Sequence, residues 1–186
     1  VTISGRDAPL LFSSTGQVYA IVPLATPSNS KAQVVVTKGS QISSPEEILI
    51  ADAQPGIFTY TGAGSGQGIV YVYQSDGSLK LADSSNPAKA GDVILIYASG
   101  LGALDTTVVD GAASSTTSLV RATGTTTVSI GGVNATVAFS GLAPGFAVGL
   151  YQVNAVVPSG VAASSASPVV LTVGGQASPT VTMAVK

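Results

Sequence analysis

The 186-residue chain contains no His and no Cys. A Ser-His-Asp triad, a cysteine nucleophile and a metal site of imidazole or thiolate ligands are therefore excluded. What remains is the chemistry of carboxylates, hydroxyls and ammonium groups. A Ser–Lys pair needs a desolvated lysine, and Lys80 and Lys89 fall in loop or edge positions where the ammonium stays in water. Paired carboxylates can hydrolyse glycosides, but Glu46-Glu47, Asp105 and Asp110 are accompanied by no Trp and no aromatic platform. Glu46-Glu47 reads as a charged guard at a strand entrance, and Asp105 and Asp110 flank a turn. No enzymatic activity is expected.

Oxygen ligands for calcium are best supplied by Asp76, Asp83, Asn86 and Asp92, all in loops. Their spacing matches no calcium loop, and Asp-Gly and Asn-Pro are also ordinary turn chemistry. They are the candidate metal ligands, and no other cofactor is expected. Tyr71 and Tyr73, on one face of a strand, are candidate sugar-stacking contacts together with Tyr151; two tyrosines so placed also read as plain cross-strand packing. The glycine-rich loop Gly62–Gly68 lacks the Lys and the following helix of a phosphate-binding loop. Asn134-Ala135-Thr136 matches the glycosylation pattern, and the Ser/Thr-rich stretch Thr106–Thr127 offers hydroxyls for O-linked sugars.

The elements that must position these residues read as strands throughout. Val1–Ser4, Pro9–Phe12, Gln17–Val22, Gln33–Lys38 and Ile48–Ala51 are rich in β-branched residues and separated by turn residues. No stretch repeats apolar residues at helical spacing. Val34-Val35-Val36 is apolar on both faces and predicts a buried strand. Ser75-Asp76-Gly77-Ser78 predicts a hairpin turn between Ile69–Tyr73 and Leu79–Leu81. Asp92–Ala98 is the most hydrophobic strand and predicts a central position. Thr106–Thr127 reads as exposed loop with one edge strand. In the last third, Val153, Ala155 and Val157 alternate with Gln152 and Asn154, and Val173-Gly174-Gly175-Gln176 predicts another hairpin.

Two of these segments are copies of one another. Val1 aligns with Val128, Ile3 with Ile130, Gly5 with Gly132, Ala8 with Ala135 and Phe12 with Phe139. After a longer connection in the second copy, Gln17 aligns with Gln152, Val18 with Val153, Pro23 with Pro158, Val34 with Val169, Thr37 with Thr172, Gly39 with Gly174 and Gln41 with Gln176. The repeat predicts two β-sandwiches: residues 1–85, made of repeat copy 1–51 and hairpin 53–85, and residues 86–186, containing repeat copy 128–185. The second copy has Asp92–Ala98 ahead of it; the first opens at Val1 and is expected to lack its opening strand. A longer polypeptide, the hairpin Ile69–Leu81, or a strand donated by a neighbouring subunit would fill that place. Backbone groups buried there without partners would each cost about 1–3 kcal/mol.

Composition narrows the setting. Apolar residues make up 45% of the chain and charged residues only 9%, against roughly 25% in ordinary soluble domains. Between Ala122 and Val185 there is no charged side chain at all. The surface is therefore built of Ser, Thr, Asn, Gln and Gly, without the charges that keep sheet edges apart. A net charge of −2 without a basic cluster argues against nucleic acid, and no apolar run reaches the roughly 20 residues that span a bilayer. Without an initiator Met or a signal peptide, the chain reads as a mature or excised piece. Abundant Ser, Thr and Gly with no Cys, His or Trp fits bacterial secreted and surface proteins.

Pro55-Gly56-Ile57-Phe58, Gly66-Gln67-Gly68, Asp76-Gly77-Ser78, Asn86-Pro87-Ala88, Tyr97-Ala98-Ser99-Gly100-Leu101-Gly102, Gly141-Leu142-Ala143-Pro144-Gly145-Phe146 and Gly149-Leu150-Tyr151-Gln152-Val153-Asn154 occur in this order. Together they resemble the Solibacter uncharacterised C-terminal domain family, over nearly the whole chain. The one departure is a single extra residue between Phe146 and Gly149. The repeat unit itself is similar to IPT/TIG immunoglobulin-like domains. The resemblance implies an all-β fold of two tandem immunoglobulin-like sandwiches, the first incomplete at its N-terminus. It also implies a place at the end of large secreted bacterial proteins, and it brings no assigned activity. The expectation is an extracellular structural or adhesion module. Its partners would be further copies, as in a filament joined through sheet edges, or neighbouring domains of a longer chain. The alternative is a carbohydrate-binding module of a larger secreted protein, with a glycan as partner.

Overall fold

A computed structural model describes residues 1–186. The chain is all-β, with no helix and 48% of its residues in strands. All named strands pair antiparallel. In the first part these are β1 (Thr2–Ile3), β2 (Arg6–Asp7), β3 (Leu10–Ser13), β4 (Val18–Ala20), β5 (Ser30–Val35), β6 (Thr37–Lys38), β7 (Gln41–Ile42) and β8 (Glu46–Ile50). They form a sheet in the order β2-β1-β5-β8 and two separate hairpins, β3-β4 and β6-β7.

The second part contains β9 (Gly56–Ile57), β10 (Val70–Tyr73), β11 (Leu79–Leu81), β12 (Val93–Ser99), β13 (Thr126–Ile130), β14 (Val133–Leu142), β15 (Tyr151–Val156), β16 (Ser164–Val173), β17 (Gln176–Ala177) and β18 (Val181–Val185). Pairing runs β11-β10-β12-β15-β14-β13-β16-β17, with β9 on β12 and β18 on β16. Strand β14 belongs to both halves of this path. Its first residues pair with β13, and from Thr136 onward it pairs with β15. The halves fold face to face, sandwich-like, over a core of 25 buried residues that includes Ile94, Ile96, Val153, Leu171 and Met183. No strand of the first part pairs with a strand of the second.

The central pairings of the repeat recur in both copies, and β16-β18 differs from β5-β8 only by a register shift between Ser164 and Ser167. Thr2 and Ile3 pair with Val35 and Val34, as Ser129 and Ile130 pair with Val170 and Val169. Leu10 faces Ala20 and Phe12 faces Tyr19 across a register shift; Val137 faces Ala155 and Phe139 faces Asn154 across the same shift. Val34–Glu46 and Val169–Val181 are likewise equivalent pairs. Apolar spacing and turn chemistry are local, so both copies form the same ladders wherever their own chain suffices.

Three expectations are corrected. The hairpin β10-β11, expected within residues 1–85 and one of three ways offered to fill the first sandwich, is hydrogen-bonded to β12 and continues the second part's sheet. The expected boundary at residues 85/86 therefore cuts through the second part. Val34-Val35-Val36 is not buried on both faces: Val36 is 40% exposed, because no second sheet covers it. The stretch Thr106–Thr127 is more integrated than an exposed loop. Val120 and Ser114 are buried, the Ser114 hydroxyl donates to the Ala143 carbonyl, and only its last residues enter a strand.

Candidate functional site

The loop carboxylates face their own backbones. Asp76 Oδ1 accepts from the Ser78 amide at 2.9 Å and the Ser78 hydroxyl at 2.6 Å. Asp83 Oδ1 accepts from the Ser85 hydroxyl at 2.6 Å, the Ser85 amide at 2.9 Å and the Asn86 amide at 3.1 Å. The serine hydroxyls, and then the amides, hold both carboxyls below the usual 3.8. Asp92 Oδ2 accepts from the Lys89 amide at 2.8 Å, and the Asn86 side-chain amide donates to the Leu81 carbonyl. Asp83 and Asn86 share one loop, but no three acidic side chains stand together anywhere. These residues form turns rather than a shared cage. Asp105 and Asp110 bind more distant backbone: Asp105 accepts from the Arg121 amide, and Asp110 from the Leu24 amide. Lys80 and Lys89 are exposed.

The three tyrosines separate. Tyr151 faces the core, 4% exposed; its hydroxyl donates to the Gly102 carbonyl at 2.9 Å, and burial pushes its pKa up to about 12. It is a structural residue and not a sugar contact. Tyr71 and Tyr73 lie on the outer face, since Val70 and Val72 between them point inward. Tyr71 packs edge-on to Tyr97 at 6.1 Å, and Tyr97 packs edge-on to Phe146 at 5.8 Å. Burial, with Tyr71 and Tyr73 nearby, raises the Tyr97 pKa. Gln152 stands directly opposite Tyr97, and Asn154 opposite Leu95; the Gln152 amide donates to Asn154 Oδ1 at 2.9 Å. The outer face thus carries an aromatic row with amides beside it. Tyr97, Phe146, Gln152 and Asn154 were not among the candidate site residues. The register of β12 against β15 assembles the row, and the only local signal was the alternation within Tyr151–Val157.

A second site is the open side of the first part. Strand β4 pairs with β3 alone, whereas its counterpart β15 pairs with both β14 and β12. The Ser14 amide donates to the Gln17 carbonyl, and the Ile21 amide to the Pro9 carbonyl. Those residues face β3, so by antiparallel alternation the backbones of Val18, Ala20 and Val22 face outward. Strand β8 likewise has β5 on one side and no strand on the other. Glu46 and Glu47 lie on that open strand, where the Lys31–Glu47 pair at 2.7 Å is exposed. The apolar side chains beside these edges are uncovered: Leu10 is 50%, Leu11 63%, Phe12 47%, Tyr19 51% and Leu49 78% exposed.

Comparison with family models, with curated proteins and with solved structures returned no match. The resemblance to the Solibacter C-terminal domain family therefore rests on the ordered motifs themselves.

Proposed function

We propose that this chain is a non-enzymatic structural or adhesion module of an extracellular, bacterial-surface protein. In this reading it consists of two tandem immunoglobulin-like, IPT/TIG-like units and joins neighbours through the unpaired sheet edges of the first. The observation that carries the reading is the bare edge of β4 beside exposed Phe12, Val18 and Tyr19. Unpaired edges with apolar flanks and few charges invite strand addition. The ordered motifs support the secreted setting. The test is weight-average molar mass against concentration, measured by light scattering on the wild-type chain and on Ala20→Pro. Proline at position 20 removes an outward N–H without touching the β3 ladder. Association of the wild type that Ala20→Pro weakens is expected; a wild-type monomer at every concentration refutes the proposal.

The aromatic row favours a second reading, a carbohydrate-binding surface. Flat aromatic faces with amides alongside suit sugar rings. Binding on a glycan array that is lost in Tyr97→Ala, while Tyr151→Phe retains it, is the expected pattern; no binding to any glycan removes this reading.

A further inference from the structure

The second copy shows what the first one lacks, in a single stretch of chain. The Ala88 amide donates to the Ala184 carbonyl, and the Lys186 amide donates to the Ala88 carbonyl, each at 2.9 Å. This ties the stretch to β18 with a parallel bridge between Ala88 and Val185. A few residues on, the Gly91 amide donates to the Val157 carbonyl and the Val157 amide to the Asp92 carbonyl, again at 2.9 Å. The chain then becomes β12, whose residues Val93–Ala98 pair with β15. Asn86–Ser99 thus closes the end of the β18 edge, whose earlier groups are taken by Gly66–Gly68 and Ala82, and crosses to close the edge of β15. It drops Ala88, Ile94, Ile96 and Ala98 into the core between them, each fully buried.

In the sequence alignment of the copies, each receiving residue has a counterpart in the first. Leu49 and Ala51 stand where Ala184 and Lys186 stand, and Val22, Ala20 and Val18 stand where Val157, Ala155 and Val153 stand. The covering segment, with the rest of the second part's core, separates their environments. Val153 and Val157 are 0% and 1% exposed; Val18 and Val22 are 36% and 40% exposed.

We propose that the first unit is an acceptor site for one extended, apolar polypeptide segment of the Asn86–Ser99 pattern. The segment runs parallel to the end of β8, crosses at a Gly-Asp turn and continues antiparallel to β4. Its inward positions carry Ala or Ile. This deepens the assembly reading and rests on it only in taking the edges to be working surfaces. It adds that one segment fills both edges together.

The experiment joins a duplicate of Asn86–Ser99 ahead of Val1 through a Gly/Ser linker of about 25 residues, with a mean span of roughly 27 Å. Amide hydrogen exchange is then read residue by residue in the whole chain. The amides of Val18, Ala20, Val22 and Ala51 are expected to slow by about 100-fold or more relative to the unfused chain. A fusion whose duplicate carries Asp at the two positions copied from Ile94 and Ile96 is expected to leave them fast. The amides of β12 and β15 in the same molecules report that the second unit is folded. Three results overturn the proposal: fast exchange at those amides in the intact fusion, equal slowing by the Asp-bearing duplicate, or slowing at β4 without slowing at Ala51. Edge-to-edge association of the unfused chain with no response to the fusion would keep the assembly reading and remove this one.

Discussion

Ile3 and Ile130 hold the same place in the two copies and are almost equally hidden, at 4% and 0% exposure. Phe12 and Phe139 also hold one place, yet the first is 47% exposed and the second 8%. The ladders around both pairs are identical in register. Register is therefore a property of the repeat's own residues, while burial is conferred by chain outside it. A fully buried Val or Leu stabilises by roughly 1.5–3 kcal/mol relative to an exposed one. The first copy holds the same strands with much less of that support, since its core cluster is Ile3, Ala8 and Ala32.

The largest expected contrast is in hydrogen exchange. Amides in β15 and β16 should exchange about 1,000-fold more slowly than those in β4 and β5, because opening free energy follows local burial; equal rates would break the comparison. Next come paired truncations. Leu171→Ala should cost about 2–5 kcal/mol, and the equivalent Val36→Ala about 0.5 kcal/mol or less, both read from denaturant midpoints. Gly100→Ala should cost about 1–3 kcal/mol. Gly100 has φ +73° and a Cβ there would collide with the Gln54 carbonyl, so the variant also loosens the bond from the Gln54 amide to Gly100. Tyr151→Phe should cost about 1–3 kcal/mol by orphaning the Gly102 carbonyl.

The smallest effect is acid sensitivity. Asp76 and Asp83 have carboxyl pKa values lowered in the fold, first of all by Ser78 and Ser85. A lowered folded value stabilises above the unfolded pKa and ceases to do so as pH falls through the folded one. The melting temperature should therefore drop slightly below about pH 4, and Ser78→Ala with Ser85→Ala should flatten that drop.

Much of this was legible beforehand. Val and Ile at matched spacings, with Gly39 and Gly174 at matched turns, disclosed both copies. The partner of the Val70–Leu81 hairpin was not legible: pairing with β12 is a long-range choice that no local pattern records. Val34–Val36 read as buried because its composition suits a covered strand, but covering is not encoded in the strand itself. Tyr151 was misread although the signal was there. Val153, Ala155 and Val157 point inward, and the same alternation carries Tyr151 inward with them. The aromatic row needed strand register, which brings Tyr97 opposite Gln152 only once β12 and β15 are aligned.

Strand β14 is shared by both sheets of the second unit, so a pull on one sheet is carried through covalent bonds into the other. In the first unit the same run is split into β2 and β3 at Ala8-Pro9, and proline has no N–H with which to continue the ladder. No strand pairing then joins the β3-β4 hairpin to the sheet of β1, β2, β5 and β8. A segment bonded to Ala51 at one end and Val18 at the other would act as a seam. Under tension the first unit would then hold only as long as that seam did.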